Sequence, residues 1–259
     1  MTRARVDFFS DVLGLSTSMT VIYPQQTVEQ IGMAGSKAAG EVPVLYLLHG
    51  LSDDDTIWGR RTSVERYAAE LGIAIVMPQV HRSFYSNQVH GLRYWDYISE
   101  EVPKLVQSMF NVSTKREHTF VAGLSMGGYG AMKLGLRHPE RFAAVGSFSG
   151  CLAMGQPGTV YDYMQVDFPL TFGPNGNAST PDDPLHLLQN ADKSTLPKLM
   201  VTCGTEDFLW DENQQFIALA KQRGIDLELR LAPGEHNWEF WDADIQAFFK
   251  WIEPQLRSA

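Results

Sequence analysis

The sequence predicts an α/β protein, with a mostly parallel central sheet, helices on both faces and an N-terminal antiparallel hairpin. From residue 42 onward, continuous apolar runs alternate with helical patterns, which is typical of a parallel sheet covered on both faces. Two strand-like runs, 4–10 and 16–23, precede this alternation and are close enough to form a hairpin. The chain has 259 residues and no recognisable linker, so we expect one domain over residues 1–259.

Each element is predicted from its apolar spacing and from the residues that end it. Strands are assigned to short apolar or alternating runs, and helices to segments where apolar residues recur every three or four positions. Pro103 falls inside one such helical segment, where we expect a kink or a new helix start. After the hairpin, the predicted strands are 42–48, 73–77, 119–122, 143–148, 198–203 and 225–231. The predicted helices are 63–71, 94–110, the segment from the turn at 125 to about 138, 211–223 and 238–256.

Two segments lack a regular pattern. Residues 25–41 are polar and contain glycine, which indicates an exposed loop. Residues 151–197 are rich in Pro, Gly, Asn and Asp, and loops this long in compact domains are often functional. Because this segment follows a sheet strand, we expect a cap-like insertion over the active site. Its aromatic side chains include Tyr161, Tyr163, Phe168 and Phe172.

Composition indicates which classes of partner and which cellular compartment to expect. The formal net charge of −9 and the pI near 5.2 disfavour nucleic acid and anionic membrane as partners. Cys151 and Cys203 lie among apolar or small residues and are predicted to be core thiols without a disulfide. The N-terminus has no apolar stretch long enough for a signal peptide, and no segment predicts a membrane span. The predicted localisation is therefore cytoplasmic.

The segment around Ser125 indicates a serine nucleophile. A β-favouring run meets Gly123-Leu-Ser-Met-Gly127, and a helix start of small residues follows. This strand–turn–helix arrangement of Gly-x-Ser-x-Gly is the nucleophile elbow of α/β-hydrolases. The serine stands on a sharp, strained turn, so the residues two positions before and after it must lack bulk. Two other Gly-Leu-Ser triplets, at Gly14 and Gly50, lack this context.

Chain order identifies the partner histidine. In an α/β-hydrolase the nucleophile, the acid and the histidine follow one another along the chain. His236 is the last histidine and lies in a loop between the last predicted strand and the last predicted helix. A loop in that position lies at the carboxyl edge of the sheet, from which a general base can reach the serine hydroxyl.

The acid is predicted in the loop after strand 198–203. This loop offers two adjacent carboxylates, Glu206 and Asp207, and spacing alone favours Asp207 only slightly. A buried carboxylate there would orient the imidazole and stabilise its protonated form. Asp211 and Glu212 are better placed to start the next helix, where negative charge suits the helix dipole.

The oxyanion hole requires amide donors aimed at the developing negative charge. The amide of Met126, directly after the nucleophile, is the first expected donor. The second is expected from the loop after strand 42–48, where Leu51 is the first choice and Ser52 the second. His49 in the same loop is interpreted as a structural histidine.

No metal or cofactor is expected from the sequence. Asp53, Asp54 and Asp55 lack the spacing and the glycine of a calcium loop. The seven histidines form no ligand pair at helical spacing. The glycines that follow Ser125 lack the lysine of a phosphate-binding loop.

Five segments carry a family resemblance: Val44-Leu-Tyr-Leu-Leu-His-Gly50, Tyr94-Trp-Asp-Tyr-Ile-Ser-Glu-Glu101, Gly123-Leu-Ser-Met-Gly-Gly-Tyr-Gly130, Cys203-Gly-Thr-Glu-Asp-Phe-Leu209 and Gly234-Glu-His-Asn-Trp-Glu-Phe-Trp-Asp242. Together they resemble the esterase D-like branch of the α/β-hydrolases, and within it the bacterial tributyrin, acetyl and cinnamoyl (feruloyl) esterases. The resemblance extends over nearly the whole chain. It implies an α/β-hydrolase fold and the triad Ser125, Asp207 and His236, and so selects Asp207 over Glu206.

The resemblance also implies a cofactor-free serine carboxylesterase that acts on small-molecule esters with short acyl chains, often acetylated sugars or phenolic esters. Some relatives are oligomeric, so a homo-oligomer is a further expectation. Trp58 and Trp238 follow catalytic loops closely and are the candidate substrate contacts. The alternative functions are a thioesterase such as S-formylglutathione hydrolase, an acyltransferase, and a non-catalytic binding protein on the same scaffold.

Overall fold

A central sheet organises the computed structural model, which describes residues 1–29, 31–32, 35, 40–155 and 164–257. The described strands are β1 (Thr2–Ser10), β2 (Leu15–Tyr23), β3 (Val44–Leu48), β4 (Ala74–Pro78), β5 (Thr119–Leu124), β6 (Ala144–Phe148), β7 (Lys198–Gly204) and β8 (Leu227–Ala232). They form one sheet in the order β1-β2-β4-β3-β5-β6-β7-β8. β2 is antiparallel to both β1 and β4, and the other neighbouring strands are parallel. The predicted mostly parallel sheet with an N-terminal antiparallel hairpin is confirmed.

Helices cover both faces of this sheet. They are α1 (Ile57–Arg61), α2 (Val64–Ala69), α3 (Tyr94–Asp96), α4 (Val102–Met109), α5 (Met126–Arg137), α6 (Asp167–Phe172), α7 (Pro184–Asn190), α8 (Trp210–Arg223) and α9 (Trp238–Arg257). Apolar side chains of α4, α5, α7 and α8 form one core layer, and those of α1, α2 and α9 form the other. This division follows from the side chains of β3, which point alternately to the two faces of the sheet. All five of its residues are buried, with Val44, Tyr46 and Leu48 in the first layer and Leu45 and Leu47 in the second.

The predicted helix 94–110 is interrupted at the position that proline indicated. A π-helical turn, Tyr97–Glu101, separates α3 from α4, and α4 begins at Val102. Pro103 lies in the first turn of α4 and has no N–H to donate to the carbonyls of the preceding turn, which accompanies the wider π-helical turn directly before it. The expectation of a new helix start near Pro103 is therefore confirmed.

The expected cap-like insertion, 151–197, divides into parts with different surroundings. α7 packs against α5 and α8 and so belongs to the helical layer. α6 is attached to the loop after β4, because Arg82 binds Asp167 and the ring of Phe172 lies 5.9 Å from that of Phe84. Tyr161 and Tyr163 lie outside the described residues. In the expected loop 25–41, the described residues form neither helix nor strand.

Candidate active site

Ser125 occupies the sharp turn between β5 and α5. Its backbone has φ 54° and ψ −117°, a conformation that is strained for any residue with a side chain. The glycines on either side are required by close approach of the backbone. A Cβ on Gly123 would lie 2.5 Å from the carbonyl of Gly127, and a Cβ on Gly127 would lie 2.4 Å from the carbonyl oxygen of Leu48. This geometry is that of a nucleophile elbow.

His236 and the buried Asp207 form an acid–base pair beside this turn. Nδ1 of His236 lies 2.9 Å from Oδ2 and 3.0 Å from Oδ1 of Asp207. The Asp207 side chain is fully buried, and its Oδ1 also accepts the amide of Leu209 at 2.8 Å. With Nδ1 directed at the carboxylate, the other ring nitrogen of His236 is left for the cleft that it shares with Ser125.

Glu206, the alternative acid, has a different position. Its exposed carboxylate accepts the amide of Gly234 and the hydroxyl of Thr205. These hydrogen bonds lower the pKa of the Glu206 carboxyl. Of the two adjacent carboxylates, the structure therefore brings Asp207 and not Glu206 to His236.

The loops that carry the acid and the histidine are joined along their backbones. The amide of Thr205 donates to the carbonyl of Ala232, and the amide of Glu206 donates to the carbonyl of Gly234. Gly204 permits this contact, because a Cβ there would lie 2.0 Å from the carbonyl oxygen of Gly234. The spacing between acid and base is thus set by main-chain contacts between two sheet-edge loops.

A tight turn after β3 carries the expected oxyanion donors. The amide of Asp53 donates to the carbonyl of Gly50 at 3.3 Å, which places Leu51 and Ser52 at the centre of the turn. Both residues line the same cleft as Ser125. Within the described part of the chain, neither of their amides nor that of Met126 is committed to a hydrogen bond. The geometry leaves Leu51 and Ser52 both available as donors.

His49 supports this turn from behind. It is buried, its Nδ1 lies 2.7 Å from the carbonyl of Gly50, and its Nε2 accepts the amide of Val80 at 3.1 Å. These partners define a neutral imidazole with the proton on Nδ1. Burial lowers the pKa of His49 to about 4. A neutral ring with a hydrogen bond at each nitrogen is consistent with the structural role expected for His49.

The cleft above Ser125 has a volume of about 550 Å³ and both apolar and polar lining residues. Leu124, Phe208, Trp238 and Trp241 provide apolar and aromatic surface. Polar lining residues include Asp53 and Arg82. Trp238 therefore lies where the sequence predicts a substrate contact.

Trp58, the other expected substrate contact, does not reach the cleft. It is fully buried, and its indole N–H donates to the carbonyl of Leu48 at 3.0 Å. Its ring packs edge-on against Trp238 at 5.2 Å. The expectation of substrate contact is wrong for Trp58, because the indole is enclosed in the core beneath Trp238.

The cleft residues that the sequence-based prediction of the site did not include are exemplified by Phe208, Arg82 and Trp241. Phe208 directly follows the acid, and Trp241 follows Trp238 at i+3 on α9, so spacing carried a signal for both. Arg82 had no such signal, since its orientation depends on Asp167 in α6.

Cys151 lies next to the nucleophile, in side-chain contact with Ser125, and burial raises the pKa of its thiol. Both cysteines are free and buried, as predicted.

Known proteins share this architecture. A family model described as "Putative esterase" matches residues 33–252. The chain belongs to this esterase family. An acetyl esterase of Caldicellulosiruptor saccharolyticus is 27% identical over 262 residues, covering 97% of this chain and 98% of that protein.

Two solved structures from Staphylococcus aureus are also similar to this esterase. The substrate-bound fluorophosphonate-binding serine hydrolase F is 32% identical, with a TM-score of 0.87 over 97% of this chain and 98% of that one. The S-formylglutathione hydrolase FrmB is 32% identical, with a TM-score of 0.84 over 97% and 98% of the two chains. The esterase is thus an esterase D-like α/β-hydrolase, a serine esterase that cleaves carboxylic esters.

No helix among the described residues is long and apolar enough to cross a membrane. In the same residues, no three His, Cys, Asp or Glu side chains stand close enough together to hold a metal ion.

Proposed function

We propose that this esterase hydrolyses short-chain acyl esters through an acyl-enzyme on Ser125. The observation that carries the proposal is the pair of His236 and Asp207, at 2.9 Å, in the cleft that Ser125 enters from a strained turn. A serine hydroxyl is a weak nucleophile unless a neighbouring base removes its proton. The buried Asp207 carboxylate would hold the imidazole in the tautomer that can accept this proton.

Acylation and deacylation use the same groups in turn. His236 takes the proton of Ser125 as the oxygen attacks the ester carbonyl, and then gives it to the departing alcohol. Water enters, loses its proton to His236 and attacks the acyl group, which releases the acid and restores Ser125. The amides of Met126 and of Leu51 (or Ser52) would bind the oxyanion in both steps, at the amino end of α5 where the helix dipole adds positive potential.

The walls of the cleft support a short acyl group. Trp238 and Leu124 offer an apolar surface, and the cavity of about 550 Å³ must hold both halves of the substrate. The similar protein from Caldicellulosiruptor saccharolyticus is named an acetyl esterase. Acetyl and butyryl esters are therefore the proposed substrates, with acetylated sugars and hydroxycinnamoyl esters as the classes to compare.

Thioester hydrolysis is the second candidate. The similar FrmB of Staphylococcus aureus is an S-formylglutathione hydrolase, and a thioester would use the same groups. Comparing kcat/KM for S-formylglutathione and p-nitrophenyl acetate separates the two activities.

The acyl-enzyme is tested with Ser125→Ala and an exposed control, Ser108→Ala on α4. Ser125→Ala should reduce p-nitrophenyl acetate hydrolysis to about one percent or less while the protein stays folded. Intact-mass spectrometry should show one fluorophosphonate adduct on the wild type and on Ser108→Ala, and none on Ser125→Ala. An adduct on Ser125→Ala, or hydrolysis by this variant well above about one percent of the wild-type rate, would refute the assignment.

Asp207→Asn should lower kcat by roughly 10³- to 10⁴-fold, as loss of the orienting acid does in serine proteases.

A further inference from the structure

Among the described residues, the rings of Phe208 and Trp241 contact the imidazole of His236. The ring centroid of Phe208 lies 4.4 Å from that of His236, with 47° between the planes. The ring of Trp241 lies 4.8 Å away and is nearly perpendicular to the imidazole, at 89°. Because Phe208 comes from the acid loop and Trp241 from α9, the two rings reach His236 from separate elements.

Trp241 is held firmly in this position. It is buried, and its indole N–H donates to the hydroxyl of Ser149 at 3.2 Å. Behind it, Trp238 packs edge-on at 5.2 Å, and Trp58 packs in the same way on Trp238. The imidazole therefore lies at the end of a column of perpendicular rings that continues into the core beside β6.

The main chain that carries Phe208 is fixed by a closed turn. The turn around it is closed by the amide of Trp210, which donates to the carbonyl of Asp207 at 2.9 Å. The side chain is 48% exposed and lines the cleft. The Phe208 ring thus lies between solvent in the cleft and the imidazole of His236.

We propose that Phe208 and Trp241 form an aromatic clamp that positions His236 and stabilises its protonated form. The proposal rests on the function assigned to His236 above. A ring bonded to the protein through Nδ1 alone can still swing about its side-chain torsions, and the two aromatic rings limit that motion. The imidazolium that forms in each half-reaction gains electrostatic stabilisation from neighbouring π systems.

Other charged groups also face this histidine and must stay unchanged in the test. Asp207 binds Nδ1 directly, and Asp244 of α9, which is paired with Arg230, lies behind Asp207. Asp53 and Arg82 line the same cleft as His236, and Arg82 is paired to Asp167. Replacing Phe208 with another uncharged residue alters none of these groups.

Two explanations for an effect of the Phe208 ring predict opposite shifts in the titration midpoint of His236, so the direction of the shift distinguishes them. Loss of an aromatic contact with the imidazolium shifts the titration of His236 to lower pH. Loss of mere shielding from water shifts it to higher pH, because hydration favours the charged form. Phe208→Leu removes the π system and keeps an apolar side chain, and Phe208→Tyr keeps the ring. Phe9→Leu replaces an exposed phenylalanine of β1 as the matched control.

The titration is read by NMR of the His236 ring protons in a Ser125→Ala background, assigned with a His236→Gln variant. Phe208→Leu should move the midpoint down by about half a pH unit, while Phe208→Tyr and Phe9→Leu should leave it within about 0.1 unit. In the otherwise wild-type enzyme, Phe208→Leu should also lower kcat for p-nitrophenyl acetate roughly three-fold, and Phe208→Tyr should restore it.

An unchanged or raised midpoint in Phe208→Leu, or equal effects of Leu and Tyr, would overturn the clamp. Trp241→Phe, which keeps a ring but loses the bond to Ser149, should lower kcat with a smaller shift of the midpoint than Phe208→Leu; a larger shift would contradict the proposal. The NMR reading does not depend on turnover. Failure of the clamp is therefore distinct from failure of the proposed function, which would appear as hydrolysis by Ser125→Ala.

Discussion

Glu206 and Gly234 are hydrogen-bonded to each other in both directions. The amide of Glu206 donates to the carbonyl of Gly234 at 3.0 Å, and the amide of Gly234 donates to the carboxylate of Glu206 at 2.6 Å. Asp207 is the next residue after one partner, and His236 lies two residues after the other. The pair therefore connects the acid loop to the histidine loop directly beside the acid–base contact.

Loss of the Glu206 carboxylate should reduce kcat. Glu206→Ala removes the acceptor for the Gly234 amide, so the histidine loop loses part of its constraint and kcat for p-nitrophenyl acetate should fall several-fold. Glu206→Gln retains an acceptor oxygen and should keep most of the activity. Glu228→Ala removes an exposed carboxylate of β8 and serves as the control. Wild-type kcat in Glu206→Ala would show that the main-chain bonds alone hold the two loops.

A side chain at Gly127 should destabilise the fold. Gly127→Ala places a methyl group 2.4 Å from the carbonyl oxygen of Leu48, so β3 and α5 must separate. We expect the free energy of unfolding to fall by about 1–3 kcal/mol, measured by urea denaturation. Gly40→Ala is the matched control, since a Cβ there has no neighbour within 4 Å among the described residues. Equal stabilities of the two variants would contradict the close packing at the elbow.

Trp58 and Trp238 should differ in what their replacement changes. Trp58→Phe loses the bond to the Leu48 carbonyl and leaves a gap in the core, so it should lower the unfolding free energy by about 1–3 kcal/mol with little change in KM. Trp238→Leu removes cleft surface and should raise KM for butyryl esters more than for acetyl esters. Steady-state kinetics over an acyl-length series, together with urea unfolding, checks both outcomes. A raised KM in Trp58→Phe would place that indole within reach of substrate.

His49 should make stability depend on pH below neutrality. Burial lowers its pKa in the folded state from 6.5 to about 4, so between these values the unfolded chain binds a proton that the folded one does not. Stability is therefore lost as pH falls through this window, by about 2 kcal/mol between pH 7.5 and pH 5. His49→Gln should be less stable at pH 7.5 but should lack this part of the pH dependence. Parallel curves of unfolding free energy against pH for the two proteins would refute it.

Local pattern and chain order determined much of this protein. The continuous apolar run of β3 required burial on both faces of a sheet, and Pro103 indicated where α4 begins. The Gly-x-Ser-x-Gly spacing specified the turn at Ser125, because that spacing follows from steric exclusion within a few residues. Predictions of this kind succeed because their physical causes lie within one element and its ends.

The tertiary structure decided what depends on the meeting of distant elements. Glu206 and Asp207 are neighbours in the sequence, and only the position of the histidine loop directs one carboxylate to His236 and the other to the Gly234 amide. Trp58 and Trp238 looked equivalent by spacing, yet the packing of α9 on α1 buries one indole beneath the other. Contacts across long stretches of chain fix which side chain reaches the cleft, since backbone spacing near a residue carries no information about what lies above it.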